Sequence, residues 1–221
     1  LRARGTSLGG DNIIAVAMAM AILDSNDISH PPIEAVFTVD EEVGLLGAAA
    51  LDFSGLKAKR MINLDSEEEG VLYIGCAGGA NITASMEFME VEPCEEDDAA
   101  VKVTLKGLRG GHSGLEINEG RGNANKLMAR FVREAMDECA VSLSSWNGGN
   151  MRNAIPASCE VVLTLGSEAV EEIKEIAAKY EALFNAEFAT IEEGITMTVE
   201  SVEMPETVVP EEIQENLIDV I

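Results

Sequence analysis

The order of periodic segments between residues 101 and 202 restricts the fold more than any other feature of the sequence. Four segments have the apolar or alternating pattern of strands, and two longer ones have the period of an amphipathic helix. The predicted strands are 101–105, 141–146, 159–165 and 195–202, and the predicted helices are 123–139 and 167–188. The order strand-helix-strand-strand-helix-strand is typical of a ferredoxin-like split βαβ sandwich. Ser167 is the predicted N-cap of the second helix, and a further helix is predicted after Pro210.

The first 79 residues have a different pattern, in which helices alternate with short apolar strands. The predicted helices are 12–23 and 43–51, and the predicted strands are 33–39, 60–64 and 71–74. Apolar strands separated by helices indicate an α/β fold with a mostly parallel sheet that is covered on both faces. The change of pattern after Gly78-Gly79 predicts two domains, residues 1–79 and residues 80–221.

Composition disfavours several classes of partner. The chain of 221 residues has a formal charge of −25, which disfavours binding to nucleic acid and to anionic membranes. No apolar run reaches the roughly 18 residues that a membrane-spanning helix needs. The four cysteines contain no Cys-x-x-Cys pair, so we expect reduced thiols that fill the core of a cytosolic protein. They are Cys76, Cys94, Cys139 and Cys159.

Three groups of acidic residues stand where carboxylates of one parallel sheet would meet. Asp11 follows two glycines, Asp40-Glu41-Glu42 follows the first predicted strand, and Asp65 follows the second. Each group alone is also explained by helix capping or by the helix dipole. Carboxylates that converge on one sheet edge repel one another unless a cation compensates them, which favours a metal site. In a Glu-Glu pair, one carboxylate can bind the metal while the other acts as a general base.

Two polar loops are further candidates. His112 lies in Gly110-Gly111-His112-Ser113-Gly114, where flanking glycines allow a ligand to approach closely. Arg152 and Asn153 lie in the loop 147–156 and could bind a substrate carboxylate or an oxyanion. Taken alone, an isolated histidine is usually structural or exposed, and the second loop is an ordinary polar loop.

Read together, these motifs resemble the aminoacyl-histidine dipeptidases (peptidase D, or Xaa-His dipeptidase). That family belongs to the co-catalytic zinc peptidases, which include carnosinase and carboxypeptidase G. The similarity follows the order of the chain over nearly its whole length. The segments that carry it are 5–12, 40–44, 65–70, 76–79, 110–114, 122–126 and 152–156.

The resemblance implies a role for each candidate residue. Asp11 would bridge two zinc ions, Glu42 would bind one of them and Asp65 the other. Glu41 would be the general base that activates the bridging water. His112 and Asn153 would meet the substrate or its tetrahedral intermediate.

The resemblance also implies a domain organisation. Residues 1–79 would be part of the catalytic, metal-binding domain, and residues 80–221 would be most of a lid that forms a homodimer. The substrate would be a dipeptide and the location cytoplasmic. The lid histidine commonly serves the partner's active site in this family.

The sequence departs from the family pattern in ways that bear on activity. The family takes further zinc ligands from an upstream His-x-Asp segment and from a histidine near its C-terminus, and neither is present here. Ile13 stands where the family usually has glycine. We therefore expect a central fragment of the enzyme that is itself inactive.

Two other functions are consistent with the same sequence features. One is a non-catalytic dimerisation or binding module. The other is an acidic calcium-binding protein, because zinc sites prefer nitrogen or sulfur ligands beside carboxylates and calcium prefers oxygen alone.

Overall fold

The computed structural model describes residue 4 and residues 12–41, 44–66, 68–76 and 78–221. The chain divides into two units, Leu1–Gly78 and Gly79–Ile221. Within the described residues, none of the helices has the length and apolar character required to cross a membrane.

The described part of the first unit contains two α-helices and one 3₁₀ turn. They are α1 (Ile13–Asp24), α2 (Leu46–Ala49) and the turn Phe53–Gly55. Helix α1 confirms the prediction for 12–23 to within a residue, and α2 is shorter than the predicted helix 43–51. Alanine, methionine, isoleucine and leucine make up most of α1, yet none of its side chains is buried.

The strands predicted at 33–39, 60–64 and 71–74 are not formed, and the described part of this unit contains no strand. A parallel strand takes its hydrogen bonds from neighbouring strands, so an apolar segment without a paired neighbour stays irregular. Phe37 and Ile62 are accordingly 55% and 83% exposed, and Ile74 is fully exposed. The apolar pattern identified segments suited to burial, but it did not identify their pairing.

The second unit is built on a four-stranded antiparallel sheet and a two-stranded one. The strands are β1 (Ala99–Lys106), β2 (Gly111–His112), β3 (Ser142–Gly148), β4 (Ala154–Ile155), β5 (Cys159–Leu165) and β6 (Thr196–Ser201). The helices are α3 (Ala124–Cys139), α4 (Val170–Glu187) and α5 (Glu211–Val220). The larger sheet has the order β3-β5-β1-β6, so β5 lies between the two strands that α3 connects. This is the predicted split βαβ arrangement.

The core of the second unit lies between this sheet and its helices. Val101, Val103 and Leu105 of β1 are fully buried, as is Phe131 of α3. Alternation along β1 and the amphipathic period of α3 made both elements predictable from sequence.

The start of α4 differs from its prediction. A 3₁₀ turn, Ser167–Ala169, precedes the helix, and Ala169 occupies the cap position without a side-chain hydrogen bond. Ser167 instead binds Asp98: its N–H donates to Oδ1 at 2.5 Å and its hydroxyl to Oδ2 at 3.0 Å. The N–H of Ser167 lowers the pKa of the Asp98 carboxyl. A partner distant in sequence thus replaces the local cap.

Two of the four cysteines are buried and two are exposed, so the prediction that they fill the core is wrong for half of them. Cys139 and Cys159 are buried, whereas Cys76 and Cys94 are exposed. Burial raises the pKa of Cys139 to about 11 and that of Cys159 to about 12. Only the thiolate reacts readily with alkylating agents.

We expect iodoacetamide at mildly alkaline pH to modify Cys76 and Cys94 of the native chain and to modify all four cysteines in denaturant. Mass spectrometry of the peptides reads out the sites. A double variant, Cys76→Ser with Cys94→Ser, is the control and should stay unmodified until it is unfolded. If Cys159 of the native chain reacted as fast as Cys94, that result would contradict the burial of Cys159.

Candidate active site

A tight turn holds Asp40 and Glu41 at the end of the first predicted strand. The N–H of Leu46 donates to the carbonyl oxygen of Asp40 at 3.2 Å, and those of Gly44 and Leu45 donate to that of Glu41 at 2.9 and 2.8 Å. Asp40 has φ 55°, in the left-handed region that a residue with a Cβ enters at a cost. The turn therefore holds a strained backbone directly beside the candidate general base, Glu41.

Gly47 closes this turn by lying against the backbone of Val39. Its N–H donates to the carbonyl oxygen of Val39 at 3.0 Å. A Cβ on Gly47 would lie 2.5 Å from that oxygen, so no other residue fits without moving the turn. Close contact with the backbone of Val39 thus explains why position 47 is a glycine.

Asn12 connects the start of α1 to Asp65. Its side-chain oxygen accepts from the N–H of Ala15 at 3.0 Å and caps the helix. Its side-chain nitrogen donates to the carbonyl oxygen of Leu64 at 2.7 Å and reaches Oδ1 of Asp65 at 3.4 Å. The structure therefore brings Asp65 to the residue that follows Asp11 in the sequence, a link that the sequence reading missed.

The remaining predicted metal ligands, Asp11 and Glu42, lie outside the described residues. Among the residues that are described, no three histidine, cysteine, aspartate or glutamate side chains form a group that could hold a metal ion. His30 is exposed in a linker, where its Nδ1 lies 2.8 Å from the carbonyl oxygen of Pro31.

In the second unit, a two-stranded sheet brings His112 and Asn153 together. Strands β2 and β4 pair so that His112 lies opposite Ala154. The N–H of Ser113 donates to the carbonyl oxygen of Asn153 at 2.8 Å. Arg152 is exposed one residue before Asn153. Two loops about forty residues apart in sequence thus form one polar surface.

The residues after His112 fold into a turn that surrounds its ring. Nδ1 of His112 accepts from the N–H groups of Gly114 at 3.1 Å and Leu115 at 3.2 Å. The N–H of His112 donates to Oε2 of Glu116 at 2.6 Å, and the N–H of Glu116 donates to the carbonyl oxygen of His112 at 2.9 Å. We call residues 112–116 the histidine turn.

Arg121 supports the histidine turn by hydrogen bonds to side-chain and backbone oxygens. Arg121 donates to Oε1 of Glu116 at 2.6 Å, to Oε2 of Glu119 at 2.7 Å and to the carbonyl oxygen of Gly110 at 2.7 Å. Its side chain is only 8% exposed. The N–H of His112 and the Arg121 guanidinium both lower the pKa of Glu116. A Cβ on Gly111 would overlap the guanidinium, and this explains the glycine there.

A buried carboxylate holds both ends of the loop 109–122. Glu192 is 7% exposed and accepts from the N–H of Arg109 at 2.7 Å and from the N–H of Gly122 at 2.9 Å. Two backbone donors compensate for its removal from water. Nothing in the local sequence distinguishes this glutamate from the many solvated ones.

A groove of about 460 Å³ lies beside this strand pair. Its lining includes Ser113, Ala154, Asn123, Arg121, Lys126 and Arg130. This volume is within the range of small-molecule sites, and Ser113 and Ala154 are the direct neighbours of the two candidate residues. The surface formed by His112 and Asn153 therefore adjoins a space of suitable size.

Comparison with known proteins finds a family match within the second unit. Residues 103–192 match the family model described as the peptidase dimerisation domain. This part of the chain is therefore similar to a peptidase dimerisation domain. His112, Asn153 and the histidine turn all lie within it, and so does Glu192.

The similarity also extends into the first unit. The chain is 40% identical over 202 residues to the cytosol non-specific dipeptidase of Escherichia coli, covering 91% of this chain and 41% of that protein. It matches the crystal structure of the aminoacylhistidine dipeptidase from Vibrio alginolyticus with a TM-score of 0.67 and 38% identity, covering 99% of this chain and 44% of that one. The resemblance to the aminoacyl-histidine dipeptidases is confirmed. The chain spans less than half the length of either relative.

Within residues 103–192, the sequence singled out His112 and Asn153 as candidates but not Glu116, Arg121 and Glu192, which hold the loops around them. The flanking glycines singled out His112, and the polar loop 147–156 singled out Asn153. The other three are ordinary charged residues whose role depends on contacts that only the fold creates.

Proposed function

We propose that this chain is the central part of a cytoplasmic metallodipeptidase that hydrolyses Xaa-His dipeptides. We call the longer enzyme the parent enzyme. The observation that carries the proposal is the pairing of β2 with β4, which joins His112 and Asn153 beside a groove in a chain closely similar to two dipeptidases. The name of the Escherichia coli relative, a cytosol non-specific dipeptidase, supports dipeptide hydrolysis and the location, and the name of the Vibrio alginolyticus relative supports the Xaa-His preference.

Asp11, Glu42 and Asp65 are the proposed metal ligands, with zinc as the proposed ion. The link from Asn12 to Asp65 supports this set, because Asn12, the residue directly after Asp11 in the sequence, donates to the Asp65 carboxylate. Two ions would polarise the scissile carbonyl and lower the pKa of a bound water. Zinc prefers some nitrogen ligands, and neither histidine of this chain lies near these acids in the sequence. The nitrogen ligands would therefore come from other segments of the parent enzyme.

Glu41 is the proposed general base. It would take a proton from the attacking water and pass it to the amine that leaves when the peptide bond breaks. The four backbone hydrogen bonds of its turn support the role, because a base must be held in place while the proton moves.

His112 and Asn153 are proposed to donate hydrogen bonds to the oxyanion of the tetrahedral intermediate, and Arg152 to bind the substrate carboxylate. The match of residues 103–192 supports a homodimer formed through this domain. His112 would then face the active site of the partner subunit.

We expect the parent enzyme to hydrolyse β-alanyl-histidine or glycyl-histidine, to lose this activity on chelation and to regain it with added zinc. This chain alone should show no turnover above a metal-only blank, because it lacks the histidine ligands. A parent enzyme that dimerises without hydrolysing any dipeptide would favour a non-catalytic module instead. Turnover by this chain alone would contradict the proposed ligand set.

A further inference from the structure

The ring of His112 is held by donors, and this restricts where its proton can lie. The N–H groups of Gly114 and Leu115 both point at Nδ1. A nitrogen that accepts hydrogen bonds carries a lone pair and no proton. In the neutral ring the proton is therefore on Nε2.

We propose that the histidine turn fixes His112 as the neutral tautomer with its proton on Nε2, and that Glu116 is the positioning residue that holds this turn. The inference rests on the proposed function, in which His112 must donate to an oxyanion. With Nδ1 occupied as an acceptor, Nε2 is the ring's donor. A proton on Nδ1 would instead point at two N–H groups and break both hydrogen bonds.

Glu116 is the residue that closes the turn on both sides. One of its carboxylate oxygens binds the N–H of His112, and the other binds Arg121. Its own N–H binds the carbonyl oxygen of His112. Each backbone polar group of His112 thus meets Glu116, and Arg121 holds the carboxylate against the strand at Gly110.

Glu119 provides a matched control for Glu116. It binds the same guanidinium at 2.7 Å but makes no hydrogen bond to His112 among the described residues. Loss of Glu119 removes an ion pair from Arg121 and leaves the histidine turn closed. A purely electrostatic effect on Arg121 would respond to both glutamates, whereas positioning of the ring depends on Glu116.

The tautomer is measured directly by nitrogen NMR on this chain. Long-range proton–nitrogen correlation distinguishes a protonated ring nitrogen from an unprotonated one, at a pH where the rings are neutral. The chain has only two histidines, and a His30→Gln variant assigns the signals. His30 has the opposite environment, because its Nδ1 faces a carbonyl oxygen, which only accepts.

We expect His112 to show a protonated Nε2 in an excess of about tenfold or more, since two hydrogen bonds exist in that tautomer alone. Glu116→Ala should lower this excess by about threefold or more, Glu116→Gln should restore most of it through its amide oxygen, and Glu119→Gln should leave it unchanged. Glu116→Asp, which keeps the charge but shortens the reach, should resemble Glu116→Ala and serves if that variant does not fold.

A predominant Nδ1–H signal at His112 would overturn the tautomer. Equal spectra for the wild-type chain and for Glu116→Ala or Glu116→Asp would overturn the role of Glu116. Because these spectra need no activity, they separate the inference from the proposed function. The spectra could match the expectations for His112 and Glu116 while His112→Ala leaves kcat of the parent enzyme unchanged. The proposed function of His112 would then fail, but the inference about the histidine turn would hold.

Discussion

Glu41→Gln in the parent enzyme is expected to lower kcat by about 10²–10⁴-fold while both metal ions stay bound. The amide has the shape of the carboxylate, so the turn that holds Glu41 should keep its backbone hydrogen bonds. It cannot accept the proton of the attacking water, and the nucleophile therefore forms much more slowly. Steady-state kinetics with metal analysis of the same sample measures both quantities.

Glu42→Gln is the matched control, because it makes the same chemical change one residue away. It should lower metal content, since Glu42 is the proposed ligand. If Glu41→Gln lost metal and kept its rate when zinc was restored, Glu41 and Glu42 would have to exchange roles.

The second unit was predictable because its longer strands and helices each bury a face within the unit. Val101, Val103 and Leu105 alternate on a strand whose other face is partly exposed, and α3 has one apolar side. The predicted helix began at Asn123, and in the structure Asn123 is the N-cap, whose side chain accepts hydrogen bonds from the N–H groups of Asn125 and Lys126. Local pattern and tertiary packing agree in this part of the chain.

The first unit shows where this agreement ends. Its apolar segments, such as the one containing Phe37, were predicted to be strands of a parallel sheet. Among the described residues, however, they pair with no strand. Periodicity reports which side chains suit burial, but a strand forms only when a neighbour supplies hydrogen bonds. Helix α1 formed as predicted because its hydrogen bonds lie within its own segment.

The candidate site was predictable only in part, for a related reason. The glycines around His112 indicated a loop that a ligand could approach, and the structure explains one of them by the guanidinium of Arg121. The register that joins His112 to Asn153 depends on pairing between distant segments. In a chain with a formal charge of −25, a buried acid such as Glu192 resembles its solvated neighbours until the fold is known.

His112→Ala in the parent enzyme is expected to cost far more in rate than in stability. Loss of an oxyanion donor should lower kcat by about 10²–10³-fold. The free energy of unfolding should fall by only about 1 kcal/mol or less, because the N–H groups of Gly114 and Leu115 are in an exposed turn and water replaces the ring. Kinetics and denaturant unfolding of the same variant separate the two effects. Unchanged kcat would remove His112 from the mechanism.

Mixing two inactive variants tests whether His112 acts across the dimer. If it does, one site of each mixed dimer of His112→Ala and Glu41→Gln subunits combines an intact Glu41 with an intact His112. Random exchange of equal amounts makes half of the dimers mixed, so activity should recover to about a quarter of the wild-type value. Mixing each variant with a double variant, His112→Ala with Glu41→Gln, is the control, because none of those dimers has a complete site. Absence of recovery after confirmed subunit exchange would confine His112 to the active site of its own subunit.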